Sequence, residues 1–295
     1  MSFMDRLQAG EVLVADGAMG TMLMAGGLKS GDCPERMNLE RPKLLSDIAR
    51  LYSAAGADIV QTNTFGGSPL KLAQYNLDDR TEEINAAAVA AARSAVGPGV
   101  LVSGSCGPCG RLLEPYGDVT PEEVEASFAR QMSALIEAGI DVLCIETMTD
   151  LMEAQIAVRT AKRIAPSMPV MATMTFDSTP RGFFTIMGVS VADAAAGLAE
   201  AGANVVGSNC GNGTADMVKI AAEFRKHTDL PLLIQPNAGL PKVEQGLLVY
   251  PETPEFMASH VAAMIEAGVN IIGGCCGSTP DHIAAIRSAV DTTIR

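Results

Sequence analysis

The chain has 295 residues, no Trp, 8 Phe, 4 Tyr and a formal net charge of −13. Hydrophobic residues make up 48% and charged residues 19%, which is enough apolar material for a large core and too much for a disordered chain. An acidic chain without a Lys/Arg-rich run is a poor partner for nucleic acid, and no apolar stretch approaches the roughly 20 residues that span a bilayer.

The first predicted strand lies in EVLVADGA from Glu11, and the second in AAGADIVQTNTF from Ala54. A helix over Glu82–Val96 leads to the third, GVLVSGSC from Gly99, and one over Pro121–Ala138 to the fourth, EAGIDVLCIETM from Glu137. Helix Leu151–Ile164 precedes the fifth strand, MPVMATMTF from Met168, and helix Ala192–Ala201 the sixth, EAGANVVGSNCG from Glu200. Helix Ala215–His227 precedes the seventh, LPLLIQPNAG from Leu230, and helix Pro254–Ala267 the eighth, EAGVNIIGGCCG from Glu266. A last helix covers Pro280–Val290, and His260 and His282 within these helical stretches read as surface residues.

Four of these units repeat one signature, in which a helix end turns at Gly56, Gly139, Gly202 or Gly268 into a short apolar run. Such runs are too short for helices and too continuous for a half-exposed sheet, so they read as buried parallel strands. Eight units of about 37 residues, with no linker-like break, predict one α/β domain over 1–295 folded as a single (βα)8 TIM barrel. An open doubly wound sheet needs an early Gly-rich dinucleotide loop, which DGAMGT matches poorly.

In a barrel the chemistry sits at the C-terminal strand ends. Five of the seven cysteines fall there: Cys106, Cys109, Cys210, Cys275 and Cys276. An odd, dilute set of cysteines in a chain with no secretory leader suggests metal or catalytic use in the cytoplasm rather than disulfides. Cys275 and Cys276 are adjacent, so both reach one ion only if the chain leaves strand geometry, which Gly273, Gly274 and Gly277 permit. Cys210 ends the sixth strand, Cys276 the eighth, and Asn237 follows the seventh between them, so three sulfurs and an amide converge. Three thiolates with one open position form a catalytic zinc arrangement. Their charge opposes activation of water but suits a substrate thiol, whose sulfur stays nucleophilic after losing its proton.

Taken together, DGAMGTML, RPKLL before AGADIVQTNTFG, MTFD, PNAGLP with VYP after it, and AGVNIIGGCCGSTPDHI resemble the homocysteine S-methyltransferase family. The resemblance runs from about Val12 to about Arg287 and is closest to the homocysteine-binding module of cobalamin-dependent methionine synthases. It implies a zinc-dependent transferase with Cys210, Cys275 and Cys276 as metal ligands. It places Glu146 against the homocysteine ammonium and Asn237 near the metal and the amino-acid end. The turn Asp16-Gly17-Ala18-Met19 would hold the carboxylate through backbone N–H groups. Catalysis is then expected of the zinc-bound substrate thiolate, with no protein base.

The chain carries no DxHxxG cobalamin signature, so the expected donor is methylcobalamin or another methyl-corrinoid on a separate protein. Betaine, S-methylmethionine and S-adenosylmethionine are the small-molecule alternatives; a mouth poor in aromatic residues disfavours an aromatic cage for a quaternary ammonium. Met19, Met148 and Met174 near the mouth are candidates to touch an apolar donor. SCGPCG departs from the family, which usually has Thr in place of the second Cys. The CGPC spacing of Cys106 and Cys109 keeps a dithiol oxidoreductase as a reading from another class, and a non-catalytic zinc- or thiol-binding protein is the third. No Lys at the strand ends argues against a Schiff-base aldolase.

Overall fold

The computed structural model describes residues 1–244 and 247–294. Its eight main strands are β1 (Leu13–Val14), β2 (Ile59–Gln61), β3 (Leu101–Cys106), β4 (Val142–Met148), β5 (Val170–Met174), β6 (Val205–Asn209), β7 (Leu232–Gln235) and β8 (Val269–Ile272). All pair in parallel in chain order, β8 returns to β1, and an Ala15–Ile59 bridge joins β1 to β2. This is the expected closed barrel.

Among the described residues, the helices that follow the strands and cover the barrel include α1 (Pro42–Ala54), α2 (Thr81–Ala95), α3 (Pro121–Glu137), α4 (Leu151–Ile164), α5 (Val191–Ala201), α6 (Thr214–Arg225), α7 (Pro254–Ser259), α8 (Val261–Glu266) and α9 (Pro280–Thr293). The stretch expected as one helix over Pro254–Ala267 is broken at His260, whose Nδ1 lies 3.0 Å from the Phe256 carbonyl oxygen. His282 is not a surface residue. It is 8% exposed; the Thr279 N–H lies 3.2 Å from its Nδ1, and its Nε2 lies 3.0 Å from the Glu252 carbonyl oxygen. No helix among the described residues is long and apolar enough to cross a membrane.

Strand alternation separates two cores. Val14, Val60, Val102, Leu143, Ile145, Val206 and Ile272 face the helices. Leu13, Ile59, Val142, Met171, Val205, Leu233 and Ile271 face inward, and Phe3 and Leu7 of a short N-terminal helix (Phe3–Gln8) join them to seal the floor. Two or four positions further along the same strands, the inward residues become polar: Gln61, Ser103, Ser105, Glu146, Thr173, Asn209 and Gln235. A continuous apolar plug therefore lies below a polar layer, and that layer floors the site.

Candidate metal and thiol site

A cavity of about 290 Å³ opens at the C-terminal end of the barrel. It is lined by the turn Gly17–Ala18–Met19, by Glu35, Phe65, Ser105, Glu146, Thr147 and Tyr250, and by Cys210, Cys275 and Cys276. The sulfurs of the three cysteines lie within 4.8 Å of one another, with Cys210 Sγ 3.9 Å from Cys276 Sγ. Tetrahedral bonds of about 2.3 Å require S···S separations of about 3.8 Å. The donor set therefore fits a zinc ion with little rearrangement.

Backbone hydrogen bonds bring these sulfurs together. Beyond β8, Gly274 N–H donates to the Asp16 carbonyl at 3.0 Å and Cys275 N–H to the Pro236 carbonyl at 2.7 Å. A turn then closes from Ser278 N–H to the Cys275 carbonyl at 3.1 Å, while the Cys276 carbonyl accepts from Ala238 N–H at 2.9 Å. The ends of β1, β7 and β8 are thus sewn together, and the chain leaves strand geometry at the CC pair, as the flanking glycines suggested. A Cβ on Gly274 would stand 2.3 Å from Ser278 Oγ, so the close approach requires glycine. Cys210 itself has φ +60°, an uncommon conformation for a residue other than glycine, asparagine or aspartate.

Electrostatics divide the three thiols unequally. Cys210 is drawn well below the ordinary thiol range because Cys275 and Cys276 both hydrogen-bond to it. Those two are pushed up, chiefly by the same contact with Cys210. Tyr250 is raised to about 12, first by burial and then by the negative charge of Cys276.

Glu146 reaches the cavity by strand alternation, and Thr147 joins it through an irregularity in β4, where the register with β5 shifts between Ile145 and Met148 and Thr147 takes φ +61°. A bulge presents two neighbouring side chains to one face, and both Glu146 and Thr147 line the cavity. The Glu146 carboxylate accepts from Ser105 Oγ. Burial raises its pKa to about 7, opposed by the Ser105 hydrogen bond and reinforced by the charge on Cys210.

The other sequence-derived positions fall beneath or beside the cavity. Asp16 is 2% exposed, and its carboxylate accepts from the Gln61 N–H at 2.7 Å. Burial lifts its pKa to about 8. Asn237 is 4% exposed, and its Oδ1 has no protein partner. Cys106 and Cys109 are free and fully buried, and neither lines the cavity. Ser105 takes the inward position, so alternation turns Cys106 toward the helices. Met19 lines the cavity, whereas Met148 and Met174 are fully buried. Asn209, Ser105 and Thr147 carried no signal as site residues, being ordinary types in strands and loops. VYP within the matching motifs was the one hint at Tyr250.

A family model described as homocysteine S-methyltransferase matches residues 13–290. The chain is 32% identical to the methionine synthase of Mycobacterium leprae over 299 residues, covering 96% of this chain and 24% of that protein. It is 33% identical to the methionine synthase of Mycobacterium tuberculosis over 296 residues, covering 95% and 24%. The chain thus spans about a quarter of the length of these relatives. Among solved structures it resembles the metallated form of the homocysteine methyltransferase MmuM from Escherichia coli, with TM-score 0.80 and 26% identity over 96% of this chain and 98% of that one. The apo form of MmuM gives TM-score 0.72 at 26% identity, covering 96% and 97%.

Proposed function

The chain belongs to the homocysteine S-methyltransferase family, and on that premise we propose that it methylates the sulfur of homocysteine at the three-cysteine site, with a methyl-corrinoid on a separate protein as donor. The observation that carries this reading is the pairing of three converging sulfurs with Glu146 in one cavity. Asn209 Nδ2 lies 3.5 Å from Glu146 Oε2 and 3.9 Å from Cys275 Sγ, so these two atoms are no more than 7.4 Å apart. One small amino thiol can therefore reach the carboxylate with its nitrogen and the sulfur cluster with its thiol.

Cys210, Cys275 and Cys276 would hold zinc. Once bound, it supplies the positive charge that takes the proton from a thiol, while three thiolate ligands keep the sulfur electron-rich. Glu146 would ionise against the substrate ammonium and fix the amino-acid end. The Ala18 N–H already donates to Ser278 Oγ at 3.1 Å, so the carboxylate would fall to the flanking N–H groups of the turn. Asn237, which follows β7 between the two cysteine-bearing loops, would support the metal end. Phe65 and Tyr250 are the rings that line the cavity among the described residues. Two rings do not make an aromatic cage, which favours a corrinoid over a quaternary-ammonium donor. The homology to methionine synthases points the same way.

The test is a parallel assay of the zinc-loaded protein with homocysteine against methylcobalamin, betaine, S-methylmethionine and S-adenosylmethionine. Methionine formation with methylcobalamin is expected, together with about one zinc per chain. Both should be lost in Cys210→Ala, Cys275→Ala and Cys276→Ala. Full zinc and activity in all three variants would remove the site assignment, and turnover with a sulfonium or betaine alone would replace the donor.

A further inference from the structure

Asn209 ties the two halves of the cavity together. It is fully buried at the last position of β6. Its Oδ1 accepts from the Thr147 N–H at 2.8 Å and from Thr173 Oγ1 at 2.7 Å. A backbone N–H can only donate, so the amide oxygen must point there and the orientation is fixed. Nδ2 is left to donate to Thr147 Oγ1 at 2.7 Å, with Glu146 Oε2 at 3.5 Å and Cys275 Sγ at 3.9 Å.

Thr147 is β-branched yet has φ +61°. Such a conformation persists only where the surroundings over-determine it, and Asn209 supplies two of the bonds that do so. The same residue immediately precedes Cys210 in the chain. One amide therefore fixes the bulge residue next to Glu146, lies beside the Glu146 carboxylate itself and touches the sulfur cluster.

We propose that Asn209 is a positioning residue that sets the distance between the Glu146 carboxylate and the three sulfurs, and so selects the length of the amino thiol. This rests on Glu146 being the ammonium partner. One methylene changes the nitrogen-to-sulfur reach of the substrate by about 1.3 Å. A rigid frame penalises that difference, and a loosened one tolerates it. Pockets that discriminate by a single methylene reach about 10–200-fold.

The experiment is calorimetric binding of homocysteine and of cysteine, one methylene shorter, to the zinc-loaded full chain. No methyl donor is present, so the result does not depend on turnover. Wild type should prefer homocysteine by about tenfold or more. Asn209→Ser should keep its zinc, lose about tenfold in homocysteine affinity and change cysteine affinity by less than about threefold, so that the preference collapses. Thr173→Val removes one of the two bonds that orient the amide. It should lose about threefold or more of the preference, and it carries the test if Asn209→Ser does not fold. A preference unchanged in the folded variants, absent in wild type, or preserved while both thiols weaken equally overturns the proposal. Loss of zinc from Asn209→Ser would do the same by making Asn209 a support of the metal alone. Failure of wild type to bind either thiol would instead bring down the functional reading on which the proposal stands.

Discussion

Glu146 is buried in a cavity that no Lys or Arg lines among the described residues. Burial pushes its pKa to about 7, so it awaits a cation that the protein does not provide. In the proposed function a substrate ammonium supplies that charge. A charge-assisted hydrogen bond in such a setting is worth roughly 1.5–3 kcal/mol, or about ten- to hundredfold in affinity. Glu146→Gln should therefore raise KM for homocysteine by that factor, leave zinc in place, and barely affect a simple thiol such as 2-mercaptoethanol. Equal losses for both thiols would remove the ammonium role. At this scale the sequence disclosed the residues whose chemistry is unusual for a strand end: the cysteines, and a carboxylate beside them. It did not disclose Ser105 or Asn209, because a buried Ser or Asn becomes informative only when its partners from other strands are known. The same limit applied to Cys106, whose place at a strand end said nothing of which way it faced.

The GGCCGS segment shows what an element of six residues must satisfy. Gly277 has φ +81°, and a Cβ there would stand 2.1 Å from the Tyr250 ring. Gly277→Ala combines left-handed strain with a collision one residue beyond Cys276. It should cost about 1–3 kcal/mol of stability and weaken zinc measurably in a chelator competition. Gly139 has φ +92° with nothing within 4 Å of its would-be Cβ, so Gly139→Ala is the control. It should pay only the left-handed cost of about 1–2 kcal/mol and keep its zinc affinity. An equal effect on zinc in both variants would contradict the local account. The repeated helix–Gly–strand signature was legible because turn chemistry and apolar runs are local. The bulge at Thr147 and the break at His260 were not, since each depends on contacts made after the chain folds.

Across the whole molecule, a closed barrel carries two buried acids at one end. Asp16 is raised to about 8 and Glu146 to about 7, from ordinary values of 3.8 and 4.5. Each folded-state pKa lies above its unfolded value. The stability that each contributes is fully present below about pH 4 and is lost as pH rises through about 7 to 8. Cys210, drawn down in the metal-free cluster, acts in the opposite sense over the same window, so the clean comparison is metal-free Cys210→Ala, which should resist denaturant better at about pH 5.5 than at pH 8. Glu146→Gln should recover on the order of 2–3 kcal/mol at the higher pH. A stability of Cys210→Ala that is flat or rising across that window would show that neither acid bears the burden of burial. The barrel could be read from eight repeating units. The donor could not, because the chain covers about a quarter of its methionine synthase relatives, and a docking partner leaves no motif of its own in the barrel.

In the proposed function one cavity takes the proton from the substrate thiol and pairs its ammonium with Glu146. Calorimetry of homocysteine binding in buffers of different ionisation enthalpy counts those protons directly. At pH 7 a thiol of ordinary pKa gives up nearly one proton, and a carboxyl of pKa about 7 gives up about half of one when it meets the ammonium. The zinc-loaded wild type should release about one and a half protons, and Glu146→Gln about one. Release of none would mean that the substrate sulfur keeps its proton, and would contradict the account.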